Sequence, residues 1–312
     1  MSTCELSVVI PTRNRAASLE RCLQALARQE LAAERFEVVI VDNGSDPAQF
    51  EAARRTIEQA PFRTTLLAEP KRGPAAARNR GVERATGQRI LFIGDDVMAA
   101  PALLAEHLEA AGRHGDVAVL GFTDWSPAVR VTPFMRYLAP DRGPQFRYAT
   151  IPDPLNCGYQ FFYTSNISLE RRWLALERFD ESFPHACLED ADLGYRLQKR
   201  GLRIVFHRPA LAFHEHAIRF GEFVRRIRQM GESSLLLYRK YPEMHADHNM
   251  IPSEGYRAQA RWRPRAKIAA LAALIRAADR LGLPVRRRLY ERVLEHHFVR
   301  SFFEALDREK KD

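Results

Sequence analysis

Leu6-Ser7-Val8-Val9-Ile10, ending in Pro11-Thr12, and Glu37-Val38-Val39-Ile40-Val41, ending in Asp42-Asn43-Gly44-Ser45-Asp46, are the stretches that decide the fold. Each is a short β-branched run closed by turn-forming residues, and an amphipathic segment at 17–28 separates them. Outward from this pair the alternation continues with an amphipathic segment at 47–59, a strand at 64–67 and a helix at 74–85 opened by Gly73-Pro74. A strand at 89–93, a helix starting near Pro101 and a strand at 117–120 follow. Strands alternating with helices predict an α/β fold with a mostly parallel sheet covered by helices. Open sheets of this kind bind ligands at the carboxyl ends of their strands. The turns at 11–13, at 42–46 and at Gly94-Asp95-Asp96 are therefore expected to share one edge.

From about residue 121 to 163 the rhythm gives way to a Pro- and aromatic-rich stretch that reads as irregular. Order resumes with Thr164-Ser165-Asn166-Ile167-Ser168, with Phe179-Asp180-Glu181, and with a helix that starts at Glu189 and stops before Gly201. Runs at 202–206 and 210–213 read as closing strands, and the pattern is helical from Phe220 onward. There Ile268, Leu271, Ile275 and Ala278 share one face, and Val285, Leu289, Val293, Phe298 and Phe302 form another apolar series around Arg286-Arg287-Arg288. Two domains are expected, a catalytic α/β domain over 1–217 and a basic helical region over 218–312.

Composition excludes several classes. The 312 residues are 46% hydrophobic, too apolar for a disordered chain, and carry 48 Lys and Arg against 39 Asp and Glu. The resulting net charge of +9 is confined to the end of the chain: residues 1–120 hold 15 basic and 16 acidic side chains, whereas 218–312 hold 21 and 12. A surplus placed there argues against a nucleic-acid reading for the sheet domain, and no RNA-binding aromatic signature or helix-turn-helix pattern supports one. Cys4, Cys22, Cys157 and Cys187 are far apart and fit neither a disulfide framework nor a zinc site, which predicts a reducing compartment. The start of the chain lacks a basic segment followed by an apolar one, and the apolar run at 268–275 is well short of the roughly 18–20 residues of a membrane span. A cytoplasmic location is expected, with or without peripheral attachment to the inner face of the cytoplasmic membrane.

Four groups of residues carry chemistry. Asp95 and Asp96 offer hard oxygen ligands suited to Mg²⁺ or Mn²⁺ bearing a diphosphate, or else form a solvated turn. Glu189-Asp190-Ala191-Asp192 either offsets a helix dipole or places a carboxylate where it takes a proton from a hydroxyl. His214 and His216 alternate onto one strand face, which suits a ligand contact or plain packing and is not the spacing of a zincin. Arg13, Arg72, Arg78 and Arg80 flank the same edge, where guanidinium groups and the helix amides after Gly73 suit a diphosphate.

Taken together, Ser7 through Arg15, Val38 through Ser45, Gly73 through Gly81, Asp95-Asp96 and Glu189 through Leu197 resemble the family 2 inverting glycosyltransferases of the GT-A fold, over roughly residues 5–217. The resemblance implies a Rossmann-like GT-A domain, here with a C-terminal helical extension. It implies a nucleotide-sugar pocket lined by Pro11, Thr12 and Arg13, with Asp42 approaching the base, Arg78 near the base or phosphates, and Asp95 on ribose or sugar. Asp96 takes the metal-contacting position with His214 beside it, for Mg²⁺ or Mn²⁺, and Asp190 the position of the catalytic base with Glu189 its neighbour. The implied donor is a UDP-, GDP- or dTDP-sugar, and the acceptor a glycan, a lipid-linked or a small-molecule hydroxyl. Gly94 departs from the family, which often carries an acidic residue there.

Two other readings compete. A nucleotidyltransferase would need a Gly-rich, cationic loop directly after the first strand, where this chain has Pro-Thr-Arg-Asn-Arg. A non-catalytic binding protein for nucleic acid or membranes would use the basic tail as its working part. The tail itself either lies on anionic lipid, packs on the catalytic domain, or forms a homodimer.

Overall fold

Period-two alternation builds the sheet. Leu6, Val8 and Ile10 of strand β1 (Leu6–Thr12) enter one core and Val9 the other, and in β2 (Phe36–Asp42) Val38 and Ile40 oppose Val39 and Val41 in the same way. Both faces are apolar because helices cover both, as a parallel sheet requires. The computed structural model describes residues 4–138, 143–246, 251–252 and 265–309. The described chain divides into two compact units. The first holds the residues to Val129, those to Glu181 after position 140, and Glu189–His216; the second holds Arg130–Ala139, Ser182–Leu188 and the residues from Ala217 on.

In the first unit eight strands lie in the order β3-β2-β1-β4-β7-β6-β8-β5. The remaining strands are β3 (Arg63–Ala68), β4 (Arg89–Ile93), β5 (Val97–Ala99), β6 (Val117–Trp125), β7 (Asn166–Glu170) and β8 (Arg203–His214). The expected parallel arrangement holds for β3, β2, β1 and β4. Beyond β4 the sheet is mixed: β7 runs antiparallel to both β4 and β6, β8 is parallel to β6, and β5 is antiparallel to β8. Helices α1 (Ala16–Leu26), α2 (Pro47–Glu58) and α3 (Pro74–Arg84) make the early crossovers, and α4 (Leu103–His114) follows β5. Gly81 lets α3 approach the sheet, since a Cβ there would fall 2.5 Å from Val9 Cγ1.

The stretch expected to be irregular contains more structure than its composition suggests. Strand β6 extends to Trp125, a short helix α5 (Pro133–Leu138) follows, and single 3₁₀ turns occupy Tyr148–Thr150 and Tyr159–Phe161; residues 139–142 lie outside the described residues. The two closing strands are one strand, β8, broken by a bulge: Gly121 pairs His207 but Phe122 pairs Leu211. Pro209 lies inside the bulge and lacks the N–H that a continuous ladder needs. Helices α6 (Arg171–Leu176) and α7 (Glu189–Lys199) complete the unit.

A buried polar network pins β7 at the centre. Asn166 donates to the carbonyls of Phe122 and Ala210 at 3.2 and 2.9 Å across the bulge. Its Oδ1 accepts from His107 Nε2 at 2.8 Å, and Ser168 Oγ lies 3.0 Å from His107 Nδ1. These partners fix a neutral imidazole with its proton on Nε2.

The second unit is helical. Helices α8 (Phe220–Lys240), α9 (Arg265–Arg280) and α10 (Arg287–Glu309) bury Phe220, Phe223, Ile268, Ile275, Tyr290, Val293 and Phe302, which include members of both expected apolar series. Phe134 of α5 stacks among Phe220, Phe223 and Tyr290 in that core. Among the described residues no helix is long and apolar enough to cross a membrane. Tail residues 247–250 and 253–264 lie outside the described residues.

Burial pushes His107 down to about 3 from 6.5. A folded-state value below the unfolded one contributes stability above pH 6.5 that is lost as the pH falls through that range. We predict that acidification from pH 7 to 5 removes about 2 kcal/mol through this residue. Urea titrations at both pH values should show that loss in the native chain and a flatter profile in His107→Gln.

Candidate active site

The end of β4 presents the first functional group. Asp95 and Asp96 follow the buried strand after Gly94, the first buried and the second half-buried, and a carboxylate removed from water needs hydrogen bonds and opposite charge. Thr12, at the carboxyl end of β1, donates through Oγ1 to Asp95 Oδ2 at 2.8 Å. Arg15, at the start of α1, forks its Nη1 to Asp95 Oδ1 and Asp96 Oδ2, both at 2.9 Å. Its Nη2 lies 3.3 Å from His216 Nδ1. His214 Nε2 approaches Asp96 Oδ2 to 3.5 Å. Pairing of β5 with β8 sets Val97 opposite His214, and Glu215 N donates to the Asp96 carbonyl at 2.7 Å, so the strand ladder delivers the histidines to the acidic tip.

The two carboxyls are driven apart in acidity. Burial pushes Asp95 up to about 6, against the attraction of Arg15. Burial also works against ionisation of Asp96, but the neighbouring His214 and Arg15 charges outweigh it and hold that group below the ordinary aspartate range. Gly94 has a local role here: a Cβ at that position would lie 2.7 Å from Asp96 Oδ1, so the absent side chain leaves room for the carboxylate.

Beside this pair stand the ends of β1 and β2, with Pro11 opposite Val41 and Thr12 opposite Asp42. Asp42 Oδ1 accepts from the amides of Gly44 and Ser45 at 3.2 and 3.0 Å, whereas its Oδ2 is buried with no hydrogen-bond partner. Asn43 ties the next loop down, donating to the carbonyls of Glu69 and Lys71 and accepting from Gly73 N at 2.7 Å. Asn14 takes a φ of 52° and accepts from Asp46 N at 2.7 Å, which joins the turns after β1 and β2. Arg13 and Arg72 are exposed, and Arg80 is exposed on α3, paired with Glu83.

Arg78 faces the other way on α3. It pairs with Glu189 at 2.7 Å, with side-chain exposures of only 11% and 5%, and lies over the Phe179 ring. Glu189 Oε2 and Arg78 Nε are buried without partners. Asn79 holds the approach to this pair, donating to the Phe179 carbonyl and to Glu181 and accepting from Phe179 N. Asp190 is half-buried and accepts from Ala191 N at 2.9 Å. Asp192 is fully buried and its Oδ2 accepts from both Nε and Nη2 of Arg196, which also binds Glu177. Leu188, immediately before α7, has a φ of 70°, a conformation that leucine enters only under constraint.

The structure thus gathers Pro11, Thr12, Asp42, Asp95, Asp96 and His214 at the ends of adjoining strands, and brings Glu189 to Arg78. Sequence reading gave no role to Arg15 beyond its place in a motif. The signal for it is positional, a cation three residues past the end of β1, on the strand next to the one that ends in Asp95-Asp96.

The donor set fits the implied Mg²⁺ or Mn²⁺. Asp96 and His214 bring an oxygen and a nitrogen donor to within 3.5 Å of each other, donor types that either ion accepts. Among the described residues no three or more His, Cys, Asp or Glu side chains form a cage able to hold a metal by themselves. That suits a cation taking its other ligands from phosphate oxygens and water.

The chain belongs to glycosyl transferase family 2: the model of that family matches residues 7–175, more than half of its length. Among curated relatives it is 30% identical over 225 residues to validoxylamine A glucosyltransferase of Streptomyces hygroscopicus subsp. jinggangensis, covering 65% of this chain and 53% of that one. It is 31% identical over 231 residues to the amylovoran biosynthesis glycosyltransferase AmsB of Erwinia amylovora, covering 71% and 73%. The chain spans about half the length of the validoxylamine A glucosyltransferases it matches. Among solved structures, the mannosyltransferase PcManGT of Pyrobaculum calidifontis, in complex with GDP-Man and Mn²⁺, aligns with a TM-score of 0.66 at 19% identity, over 98% of this chain and 88% of that one. Residues 1–349 of S. aureus TarS in complex with UDP-GlcNAc align at 0.57 and 16% identity, over 98% and 92%. These likenesses show the GT-A fold.

Removing one member of the buried Arg78–Glu189 pair leaves the other charge uncompensated. Glu189→Ala should cost about 3 kcal/mol in chemical denaturation, and Arg78→Met together with Glu189→Leu should recover most of it. Glu109→Ala, which removes the exposed partner of Arg113, should leave the denaturation midpoint in place.

Proposed function

We propose that the protein transfers a sugar from a nucleoside-diphosphate sugar to an acceptor hydroxyl with inversion at the anomeric carbon. The observation that carries this reading is the adjacent Asp95 and Asp96, the first buried and the second half-buried, held by Thr12 and Arg15 at the carboxyl edge of the sheet. It concentrates carboxylates and cations where a diphosphate and its counter-ion would meet. The orphaned Asp42 Oδ2 supports the same reading, since a nucleobase N–H is a donor of the kind it lacks. PcManGT and TarS, solved with GDP-Man and UDP-GlcNAc, support a UDP-, GDP- or dTDP-sugar as the donor class.

In this reading Pro11, Thr12, Arg13 and Asp42 hold the nucleoside, Asp95 meets the ribose or sugar, and Arg78 stands near the base or phosphates, braced by Glu189. Asp96 and His214 would hold the divalent cation, which when bound offsets the charge of the departing diphosphate. Asp190 removes the proton of the acceptor hydroxyl as its oxygen bonds to the anomeric carbon. The bond from that carbon to the diphosphate oxygen breaks on the opposite face, and the electron pair leaves with the nucleoside diphosphate. Glu189, spent on Arg78, serves as a positioning residue in this scheme.

The assignment of the base is tested with Asp190→Asn. Turnover should fall by about 10²–10⁴-fold while the donor dissociation constant, measured by calorimetry with Mn²⁺ present, stays unchanged. Undiminished turnover with normal donor binding removes Asp190 from the role. Asp42→Ala should instead weaken donor binding by roughly tenfold, as expected for one lost hydrogen bond to a charged group.

A further inference from the structure

Helix α9 is apolar on two sides. Ile268, Ala272 and Ile275 are buried in the second unit, and so is Asp279, which accepts from Phe220 N at 3.0 Å. At 100° per residue the opposite side presents Ala266, Ala270, Ala273, Leu274, Ala277 and, just past the helix, Leu281, all exposed. Leu274 is 69% exposed and Leu281 73%, and Leu283 in the following turn is also exposed. A surface helix ordinarily turns a polar face to water, and one that is apolar all round is ordinarily covered.

Charge identifies what covers it. Asp279 is the sole acidic residue between positions 265 and 290, and it faces inward. Lys267 and Arg280 rim the apolar strip, and Arg286 and Arg288 are exposed just beyond the turn. Arg287, between them, is engaged by Glu291 at 2.7 Å. We propose that this face of α9 and the turn after it dock on an anionic lipid surface. The leucines and alanines enter the boundary between headgroups and acyl chains, and the long basic side chains reach the lipid phosphates from the rim. A second copy of the chain is a poorer occupant, because a two-fold contact through this strip would set one basic rim against another. A nucleic acid would engage the rim but leave Leu274 and Leu281 uncovered. The inference goes beyond the transfer chemistry and does not rest on it.

Flotation of the full chain with vesicles tests it, using phosphatidylcholine alone and equal parts phosphatidylcholine and phosphatidylglycerol. The native chain should partition to the anionic vesicles at least roughly tenfold better than to the neutral ones, with the preference reduced by high salt. Leu274→Gln with Leu281→Gln, and separately Arg280→Gln with Arg286→Gln and Arg288→Gln, should each lower that partition by about tenfold while circular dichroism stays native. All five side chains are exposed, so neither variant disturbs the core. Failure of the native chain to bind anionic vesicles, or binding by the leucine variant equal to that of the native chain, overturns the proposal. So does a solution dimer that the leucine variant abolishes in a chain that binds no vesicle.

Discussion

Two adjacent carboxylates just past the end of β4, one buried and one half-buried, impose the constraint around which the first unit is arranged. Burial of Asp95 disfavours its charge, and the cost of an unpaired buried charge far exceeds that of any single loop contact. Each neighbouring element contributes to the solution. Strand β1 ends in Thr12, α1 begins at Arg15, and β8 runs long enough past its bulge to deliver His214 beside β5. This meeting of carboxylates and cations is the place proposed to take the diphosphate and its metal.

Asparagine side chains, three of them buried, do much of the remaining positioning. Asn14, Asn43, Asn79 and Asn166 each bridge segments distant in the chain. Asn43, Asn79 and Asn166 use both carbonyl and amide, so the loops after β2 and β3, the segment before α7 and the bulge in β8 are held by hydrogen bonds of about 1 kcal/mol each. Such bonds are modest singly but costly to break when the partner stays buried. That rigidity leaves the unpartnered Asp42 Oδ2, Arg78 Nε and Glu189 Oε2 as conspicuous exceptions at the edge proposed to bind substrate.

Much of this was legible in the sequence. The first four strands and their helices announce themselves through β-branched runs and turn residues, and the rule placing ligands at strand ends gathered Thr12, Asp42, Asp95 and Asp96 at one edge. What escaped reading depends on long-range pairing. Strand β5 has three residues, too few for a period, and is a strand only because β8 pairs with it. The extension of β6 to Trp125 hides behind a composition that looks irregular, and Pro209 splits β8 into two apparent strands. Arg15 and Glu189 show the same limit in the site. Side chains that sit beside a motif in sequence gain their meaning from partners 80 and 111 positions away.

The proposed reaction is direct displacement at the anomeric carbon, with Asp190 as base and no covalent intermediate. Proton NMR of the first glycoside formed from an α-linked nucleoside-diphosphate hexose tests it most directly. Inversion gives a product of β configuration from the earliest time point, and an α-linked product from the same donor overturns the proposal.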